Sequence, residues 1–306
     1  MPAPSAKSAT GPAEARPPAS PPPPLHPLLI DDVVRAALQE DLGRAGDITS
    51  AALFPPDQTA QAALTIREAG TLAGLDVVSA VFRLLDPAVT IARHLADGTT
   101  VAANTPAATL MGPARSLLTG ERVALNFFGR MSGIATLTAA YVAKLEGLPT
   151  RIACTRKTTP GLRLFEKYAV RAGGGRNHRF GLDDAVMIKD NHIAVAGSIA
   201  EALARVRAEV GHTVTLEVEA DTLEQASEAA EEGADVILLD NMDLETLRAA
   251  VSRIAGRAIT EASGGVSLET VRAIAETGVD VISVGALTHS ARVLDVAFDM
   301  PPAAPR

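Results

Sequence analysis

The sequence predicts an α/β protein in which a barrel of parallel strands follows a smaller α+β domain. Five apolar, β-branched runs lie in the C-terminal half, at residues 185–188, 213–218, 235–239, 258–262 and 279–284. Helical patterns separate them, at residues 199–210, 223–232, 244–254 and 268–277. Continuous apolar strands that alternate with amphipathic helices are typical of a parallel sheet covered by helices. Five strands within about one hundred residues are compact enough for a (β/α) barrel.

The N-terminal part has a different pattern, with short strands and few helices, which favours a separate α+β domain. Residues 1–24 contain nine prolines and six alanines, so we predict a disordered tail there. Helices are expected at residues 31–41 and 76–85, and strands at 61–68, 88–92, 101 and 109–111. A long helical pattern then covers residues 114–145, where Gly129 and Gly133 are candidates to interrupt it. On composition alone, Arg122 is a solvated residue of that helix.

Composition and charge restrict the kind of protein. A single cysteine, Cys154, excludes an intramolecular disulfide framework and fits a reducing cytosol, so we expect a cytoplasmic protein. No apolar stretch approaches the roughly 20 residues that a membrane span needs. Residues 151–192 hold nine Arg or Lys against four acids, although the whole chain carries a net charge of −8. A cationic segment in an acidic protein indicates a site for a small, highly charged anion rather than a nucleic acid.

Polar or glycine residues end each of the five predicted strands. They are Lys189, Glu219, Asp240, Ser263 with Gly264 and Gly265, and Gly285, at intervals of 30, 21, 23 and 22 residues. The carboxyl ends of parallel barrel strands lie on one face, where the active sites of such barrels form. We therefore predict that these residues surround one site.

The residue types indicate the chemistry of that site. Arg156, Lys157, Arg179 and Lys189 can bind carboxylate or phosphate groups. Glu219 and Asp240 are paired carboxylates of the kind that hold Mg²⁺ beside a polyphosphate. The glycines after the last strands offer backbone N–H groups to a phosphate. We predict no zinc site at His178 and His192, because no ligand cluster with suitable spacing accompanies them. Cys154 is interpreted as a small core residue.

Several long motifs resemble the quinolinate phosphoribosyltransferase family. They are ALNFFGRMSGIAT (124–136), TRKTTPGLR (155–163), GGGRNHRFGLDDAVMIKDNH (173–192), LEVE (216–219), ILLDNM (237–242), EASGG (261–265) and ISVGALTHS (282–290). The resemblance runs from about residue 25 to residue 303. It implies a phosphoribosyl transfer from phosphoribosyl pyrophosphate (PRPP) to quinolinate, with decarboxylation, in NAD biosynthesis.

The same resemblance implies an architecture. An N-terminal open-faced sandwich, residues 25–129, would precede an incomplete seven-stranded α/β barrel, residues 130–286, and a C-terminal segment, residues 287–303, would return to the first domain. It also implies a homodimer with shared sites, in which Arg122 reaches the partner's site.

The resemblance finally implies roles for the site residues. Arg156, Lys157, His178 and Arg179 would bind quinolinate, and Thr155 would be a further substrate-binding residue. PRPP and its Mg²⁺ would be bound by a second set: Lys189, Glu219, Asp240, Ser263, Gly264, Gly265, Val284, Gly285 and Ala286. Within these sets, Lys157, Lys189, Glu219 and Asp240 would be catalytic, and Glu219 and Asp240 would hold the metal.

Three other functions could use parts of the same set of residues. A paralogue that takes nicotinate or another base should lack some cations for a second carboxylate, yet Arg156, Lys157, His178 and Arg179 are all present. A Schiff-base aldolase could use Lys157 or Lys189, and borohydride trapping with a carbonyl substrate would reveal it. A non-catalytic anion-binding protein gains nothing from the added carboxylates Glu219 and Asp240.

Overall fold

The computed structural model describes residues 22–300. The predicted disordered tail, residues 1–24, therefore lies outside the described residues except for its last three. No helix in the described part of the chain is both long enough and apolar enough to cross a membrane.

The N-terminal elements alternate short strands with helices. They are α1 (Pro27–Leu42), α2 (Ile48–Leu53), β1 (Thr59–Ile66), β2 (Gly70–Thr71), α3 (Leu75–Leu85), β3 (Thr90–Arg93), β4 (Thr100–Val101), β5 (Thr105–Pro113) and α4 (Ala114–Lys144). The start of α2 is set locally, because Asp47 Oδ1 accepts the Ser50 N–H at 2.9 Å and satisfies one of the unpaired donors of the first turn. The predicted helices and strands of this region are present, with ends shifted by a few residues.

The C-terminal elements follow the predicted alternation of strands and helices. They are β6 (Arg151–Ala153), α5 (Arg163–Ala172), β7 (Val186–Ile188), α6 (Asp190–Ala196), α7 (Ile199–Glu209), β8 (Leu216–Ala220), α8 (Leu223–Glu231), β9 (Val236–Asp240), α9 (Leu244–Ile254), β10 (Ile259–Ser263), α10 (Val271–Ala275), β11 (Val281–Ser283), α11 (Ala286–His289) and β12 (Val296–Asp299). The helix predicted at residues 268–277 is shorter, because residues 268–270 form a turn before α10.

The first sheet is antiparallel and joins both ends of the chain. Its strand order is β12-β1-β5-β3, so the last strand pairs with the first, with Leu64 opposite Phe298. Helices α3 and α4 pack together, and α4 also contacts β1, β5 and β12. Phe82 of α3 and Phe298 of β12 lie with their ring centroids 5.8 Å apart. The N-terminal unit is therefore an α+β layer completed by the C-terminal strand.

Helix α4 runs for 31 residues without a break, so the expectation that Gly129 and Gly133 interrupt it is wrong. A Cβ placed on Gly133 would lie 1.9 Å from Arg292 O, and one on Gly129 would lie 3.0 Å from Leu294 O. The two glycines thus let the segment that leads to β12 approach the helix backbone closely. Their role is in packing rather than in ending the helix.

The second sheet is parallel and has six strands, in the order β6-β11-β10-β9-β8-β7. Between β6 and β7 along the chain, a single bridge pairs Ala153 with Arg176. Residues 173–175 are glycines pressed against α4, and a Cβ on Gly173 would lie 2.4 Å from Ala135 O. Gly174 also has a φ of +89°. The described residues therefore contain six paired strands and one isolated bridge beside β6.

Candidate active site

A cavity of about 360 Å³ lies at the carboxyl ends of the parallel strands. Every strand of the sheet contributes to it, either from its last residues or from the loop that follows. The lining residues are Thr155, Arg156, Lys157, His178, Arg179, Met187, Lys189, Glu219, Leu238, Asp240, Glu261, Ser263 and Ser283. Nine residues predicted from the sequence are among them, and they converge as parallel strand ends require.

The loop after β6 brings the first cations to the cavity. Its turn is held locally, since the Lys157 N–H donates to Thr155 Oγ1 at 3.0 Å. Thr288 Oγ1 of α11 donates to the Lys157 carbonyl at 2.7 Å, which ties the loop to the end of the sheet. The Nε of Arg156 is buried and has no hydrogen-bond partner among residues 22–300. A buried donor without a partner is costly, so this guanidinium is suited to an incoming anion.

His178 and Arg179 form the second cationic group. Arg179 Nη1 donates to Ala185 O at 3.1 Å, whereas its buried Nε is unpartnered within the described chain. Burial, followed by the charge of Arg156, lowers the pKa of Arg179, although a guanidinium stays protonated at neutral pH. Arg156 and Arg179 therefore present two cations at one end of the cavity.

Two buried glutamates lie close to His178 and were not predicted as site residues from the sequence. His178 Nε2 lies 3.1 Å from Glu217 Oε2 and 3.5 Å from Glu261 Oε1. The ligand atoms of these three residues lie within 4.8 Å of one another, so possible metal ligands do accompany His178, although they come from Glu217 and Glu261 and not from His192. Arg156 and Arg179 line the same cavity, and their charge disfavours a cation at this position.

The two glutamates could have been found from strand periodicity. Glu217 precedes Glu219 by two residues in β8, and Glu261 precedes Ser263 by two residues in β10. Side chains two apart in a strand point to the same face. The residues that precede the predicted strand ends by two positions therefore share their side of the sheet.

The protonation of this cluster is set by opposing influences. Burial works against the imidazolium of His178, but the carboxylates of Glu217 and Glu261 outweigh it and raise the pKa of His178. Burial, assisted by Glu217, raises the pKa of Glu261 to about 7. The Arg179 N–H donates to His178 Nδ1 at 2.8 Å, an assignment that places the imidazole proton on Nε2, facing the glutamates.

The predicted metal-binding carboxylates lie at the ends of β8 and β9. Lys189, at the start of α6, forms an ion pair with Glu219 at the end of β8. Asp240, at the end of β9, accepts a hydrogen bond from Asn241 Nδ2 at 2.6 Å. Glu219 and Asp240 are half-buried and line the cavity together. Two carboxylates with solvent access fit Mg²⁺, which takes few protein ligands and keeps several waters.

The predicted glycine loops lie beside the cavity rather than in its lining. Gly264 and Gly265 have φ values of +95° and +60°, and a Cβ on Gly264 would lie 2.0 Å from Asn241 Oδ1. Val284 is buried, and its N–H donates to Ala153 O at 2.9 Å. Gly285 packs against the side chain of Lys157, since a Cβ on Gly285 would lie 3.1 Å from Lys157 Cδ. Ala286 begins α11. Of this group, only Ser263 lines the cavity.

Arg122 lies elsewhere in this chain. It is an exposed residue of α4 and lines a separate cavity of about 280 Å³ with Asp41, Asp47 and Thr119. Within one chain, Arg122 is therefore not brought to the cavity at the strand ends.

Comparison with known proteins identifies two matching family regions. Residues 47–132 match Quinolinate phosphoribosyl transferase, N-terminal domain, and residues 134–299 match Quinolinate phosphoribosyl transferase, C-terminal domain. The chain is 48% identical over 276 residues to the probable nicotinate-nucleotide pyrophosphorylase [carboxylating] of Bacillus subtilis, covering 90% of this chain and 95% of that protein. It is 44% identical to the nicotinate-nucleotide pyrophosphorylase [carboxylating] of Mycobacterium leprae, covering 88% and 96%.

Solved structures give the same result. The crystal structure of NadC from Streptococcus pyogenes superposes with a TM-score of 0.88 at 46% sequence identity, covering 91% of this chain and 98% of that chain. Human nicotinic acid phosphoribosyltransferase superposes with a TM-score of 0.56 at 16% identity, covering 89% and 75%. The second likeness concerns the fold alone.

Proposed function

We propose that this chain, which belongs to the quinolinate phosphoribosyltransferase family, transfers the phosphoribosyl group of PRPP to quinolinate. The products are nicotinate mononucleotide, CO₂ and pyrophosphate, and the reaction contributes to NAD biosynthesis. One observation carries this proposal beyond family membership. The same cavity is lined both by Arg156, Lys157, His178 and Arg179 and by Lys189, Glu219 and Asp240.

The first group suits a pyridine with two carboxylates. Arg156 and Arg179 are cations whose buried Nε atoms lack partners in the described chain, and Lys157 adds a third cation. Two adjacent carboxylates can satisfy these donors through charge-assisted hydrogen bonds. Nicotinate has one carboxylate and would leave part of this charge uncompensated. Discrimination against it follows from the cost of unpaired buried donors.

The second group suits PRPP with Mg²⁺. We propose Glu219 and Asp240 as the residues that hold the ion, directly or through its waters. When bound, Mg²⁺ neutralises charge on the pyrophosphate group. Lys189 can bind an anionic oxygen of PRPP after its ion pair with Glu219 rearranges. The backbone N–H groups of residues 263–265 and 284–286 offer further phosphate contacts beside the cavity.

The proposed reaction has two steps. The quinolinate nitrogen forms a bond to ribose C1, and the bond from C1 to the pyrophosphate oxygen breaks. The pyridinium formed in this way then accepts the electron pair left by the C2 carboxylate as CO₂ departs, and a proton replaces CO₂ at C2. Arg156, Lys157 and Arg179 orient the ring before the first step. Lys189 stabilises the negative charge of the leaving pyrophosphate.

Three further features are part of the proposal. The six-stranded sheet would close into an incomplete barrel, with Arg176 at the seventh position, because residues from all its strand ends surround one cavity. The active unit would be a homodimer in which Arg122 reaches the cavity of the partner. The enzyme would work in the cytoplasm, where a reduced cysteine such as the buried Cys154 is stable.

The direct test is to incubate the purified chain with quinolinate, PRPP and Mg²⁺ and to measure CO₂ and nicotinate mononucleotide. We expect both products in equal amounts, together with pyrophosphate. Replacement of quinolinate by nicotinate is the matched control and should give little product. Formation of product from nicotinate but not from quinolinate would refute the proposal.

A further inference from the structure

Helix α5 carries two adjacent charged residues that are fully buried. Glu166 is 0% exposed and Lys167 is 1% exposed, and neither lines the cavity described above. Charged side chains are almost never buried to this degree unless their charge is compensated. The charges of these two residues are compensated by contacts with two segments. One segment carries Arg156 and Lys157, and the other carries His178 and Arg179.

Lys167 is bound to the segment that carries His178 and Arg179. Its Nζ donates to His178 O at 2.8 Å, to Arg179 O at 3.0 Å and to Cys154 Sγ at 3.1 Å. An ammonium group has three donors, so each of them has an acceptor. Among the ion pairs of residues 22–300, none includes Lys167. Its charge is therefore satisfied mainly by two backbone carbonyls, those of the residues whose side chains enter the cavity.

Glu166 is bound to the other segment. Its Oε2 accepts the Thr159 N–H at 3.0 Å, and its Oε1 accepts Thr159 Oγ1 at 2.8 Å. Thr159 closes the loop that begins with Arg156 and Lys157. Arg130 Nη2 donates to Glu166 Oε1 at 2.7 Å, and Arg130 Nη1 donates to Ala291 O at 2.9 Å. The carboxylate thus connects the loop to α4 and to the end of α11.

The two residues can serve both segments because they are neighbours on a helix. Consecutive side chains of an α-helix point in directions about 100° apart and do not face each other. From one turn of α5, Glu166 therefore reaches the 155–159 loop while Lys167 reaches residues 178–179. The helix itself is fixed by its buried apolar residues, among them Phe165 and Val170.

We infer that Glu166 and Lys167 are positioning residues that hold the two cation-bearing segments in the geometry that binds quinolinate. Neither residue lines the cavity, so both would act through the segments that they bind and not on the substrates directly. Long cationic side chains lose rotamer freedom when they bind. A backbone that is already fixed lowers the cost of ordering Arg156, Lys157, His178 and Arg179 around the two carboxylates. This inference rests on the proposed function.

The test compares Lys167→Met with the wild-type chain. Methionine keeps much of the length of the side chain and removes all three donors. We expect the KM for quinolinate to rise about 10- to 100-fold, as loss of hydrogen bonds from a charged group implies. The KM for PRPP should change less than about threefold. Lys167→Arg restores donors and should recover part of the quinolinate affinity. Lys144→Met, at an exposed lysine that ends α4, is the matched control.

A purely structural role predicts another result. Lys167→Met would then lower the melting temperature and weaken both substrates equally, or leave both KM values unchanged in a folded enzyme, and either outcome overturns the inference. If Lys167→Met does not fold, Glu166→Gln takes its place, because it keeps an acceptor for Thr159 but removes the charge that Arg130 binds. The ratio of the two KM values is then decisive in the same way.

A second measurement separates this inference from the proposed function. A wild-type chain that does not convert quinolinate would refute the proposed function. The positioning role is then decided by crystal structures of the wild-type and Lys167→Met chains. We expect the carbonyls of residues 178 and 179 to shift by about 1 Å or more, and unmoved carbonyls would refute the positioning role.

Discussion

His178 Nε2 lies 3.5 Å from Glu261 Oε1, and both residues line the cationic cavity. Glu261 is 5% exposed, and the imidazole of His178 also contacts the carboxylate of Glu217. Because three titratable groups meet where water is largely excluded, the protonation of one depends on the others. This cluster gives the folded protein a specific dependence on pH.

We predict that the free energy of unfolding decreases as the pH rises from about 5 to about 8. Burial raises the pKa of Glu261 to about 7, and the two glutamates raise that of His178 despite its burial. The folded state therefore holds protons more firmly than the unfolded state. The resulting stability is fully present below the unfolded pKa values and is lost as the pH rises through the folded ones.

Urea unfolding across this pH range would check the prediction on wild type and Glu261→Gln. The variant should show a clearly smaller decrease, because one of the titrating groups is gone. Glu209→Gln, at an exposed position at the end of α7, should behave like wild type. Parallel pH profiles for wild type and Glu261→Gln would contradict the role of this cluster.

Arg156→Ala should reduce the rate on the order of 10²–10³-fold, because it removes one charge-assisted donor that acts on the bound carboxylates at the transition state. Steady-state kinetics with quinolinate and PRPP would measure the loss. Arg205→Ala is a suitable control, since Arg205 is exposed and its one ion pair among residues 22–300 is with Glu201 on its own helix. Wild-type turnover and affinity in Arg156→Ala would remove this residue from the site.

Asp240→Asn should raise the Mg²⁺ concentration needed for half-maximal activity about 10- to 100-fold. The amide keeps the size of the side chain but removes the negative charge that attracts the cation. Titration of Mg²⁺ at saturating substrates gives the value. Asp221→Asn, an exposed residue just after β8, should leave the requirement unchanged. An unchanged requirement in Asp240→Asn would assign the metal to other groups.

Gly133→Ala should destabilise the fold by about 1–3 kcal/mol. In an open helix the same change stabilises by about 1 kcal/mol, but here the added Cβ would lie 1.9 Å from Arg292 O. Urea denaturation would give the difference. Gly211→Ala has no atom within 4 Å of the added Cβ and should change stability by less than about 0.5 kcal/mol. A Gly133→Ala variant more stable than wild type would show that the segment around Arg292 moves to accommodate the added methyl group.

Arg122→Ala and Arg156→Ala chains should complement each other when they are co-expressed. If Arg122 acts in the partner's cavity, each mixed dimer contains one site with both arginines and one site with neither. Random pairing then restores about one quarter of wild-type activity, whereas each variant alone stays nearly inactive. Absence of recovery in isolated mixed dimers would place the action of Arg122 within its own chain.

The strand-end residues of the site could be predicted from the sequence because parallel strands impose a regular spacing. Lys189, Glu219, Asp240 and Ser263 each follow an apolar run, and all four line the cavity. The cationic segment at residues 151–192 had already indicated Arg156, Lys157 and Arg179, and the resemblance added His178 and the assignment of all four residues to quinolinate.

Other features could not be predicted, for physical reasons. Strand periodicity places Glu261 on the same side of β10 as Ser263, but its contact with His178 could not be predicted, because His178 comes from a distant part of the chain. The buried charge of Lys167 depends on three acceptors that only the folded chain brings together. Glycine is typical of a helix break, which is why the sequence predicts an interruption of α4 at Gly133. In the folded chain Gly133 instead packs against the backbone carbonyl of Arg292, which lies 159 residues further along the sequence.

The pairing of β12 with β1 has a consequence for synthesis of the chain. A ribosome releases residues 59–66 long before residues 296–299, so during translation β1 has an unpaired edge. Exposed edges of this kind promote pairing with other chains. The N-terminal layer is completed only when the last strand emerges, so a shortened message would yield a chain that exposes this edge. Residues 296–299 therefore complete the sheet that residues 59–66 begin.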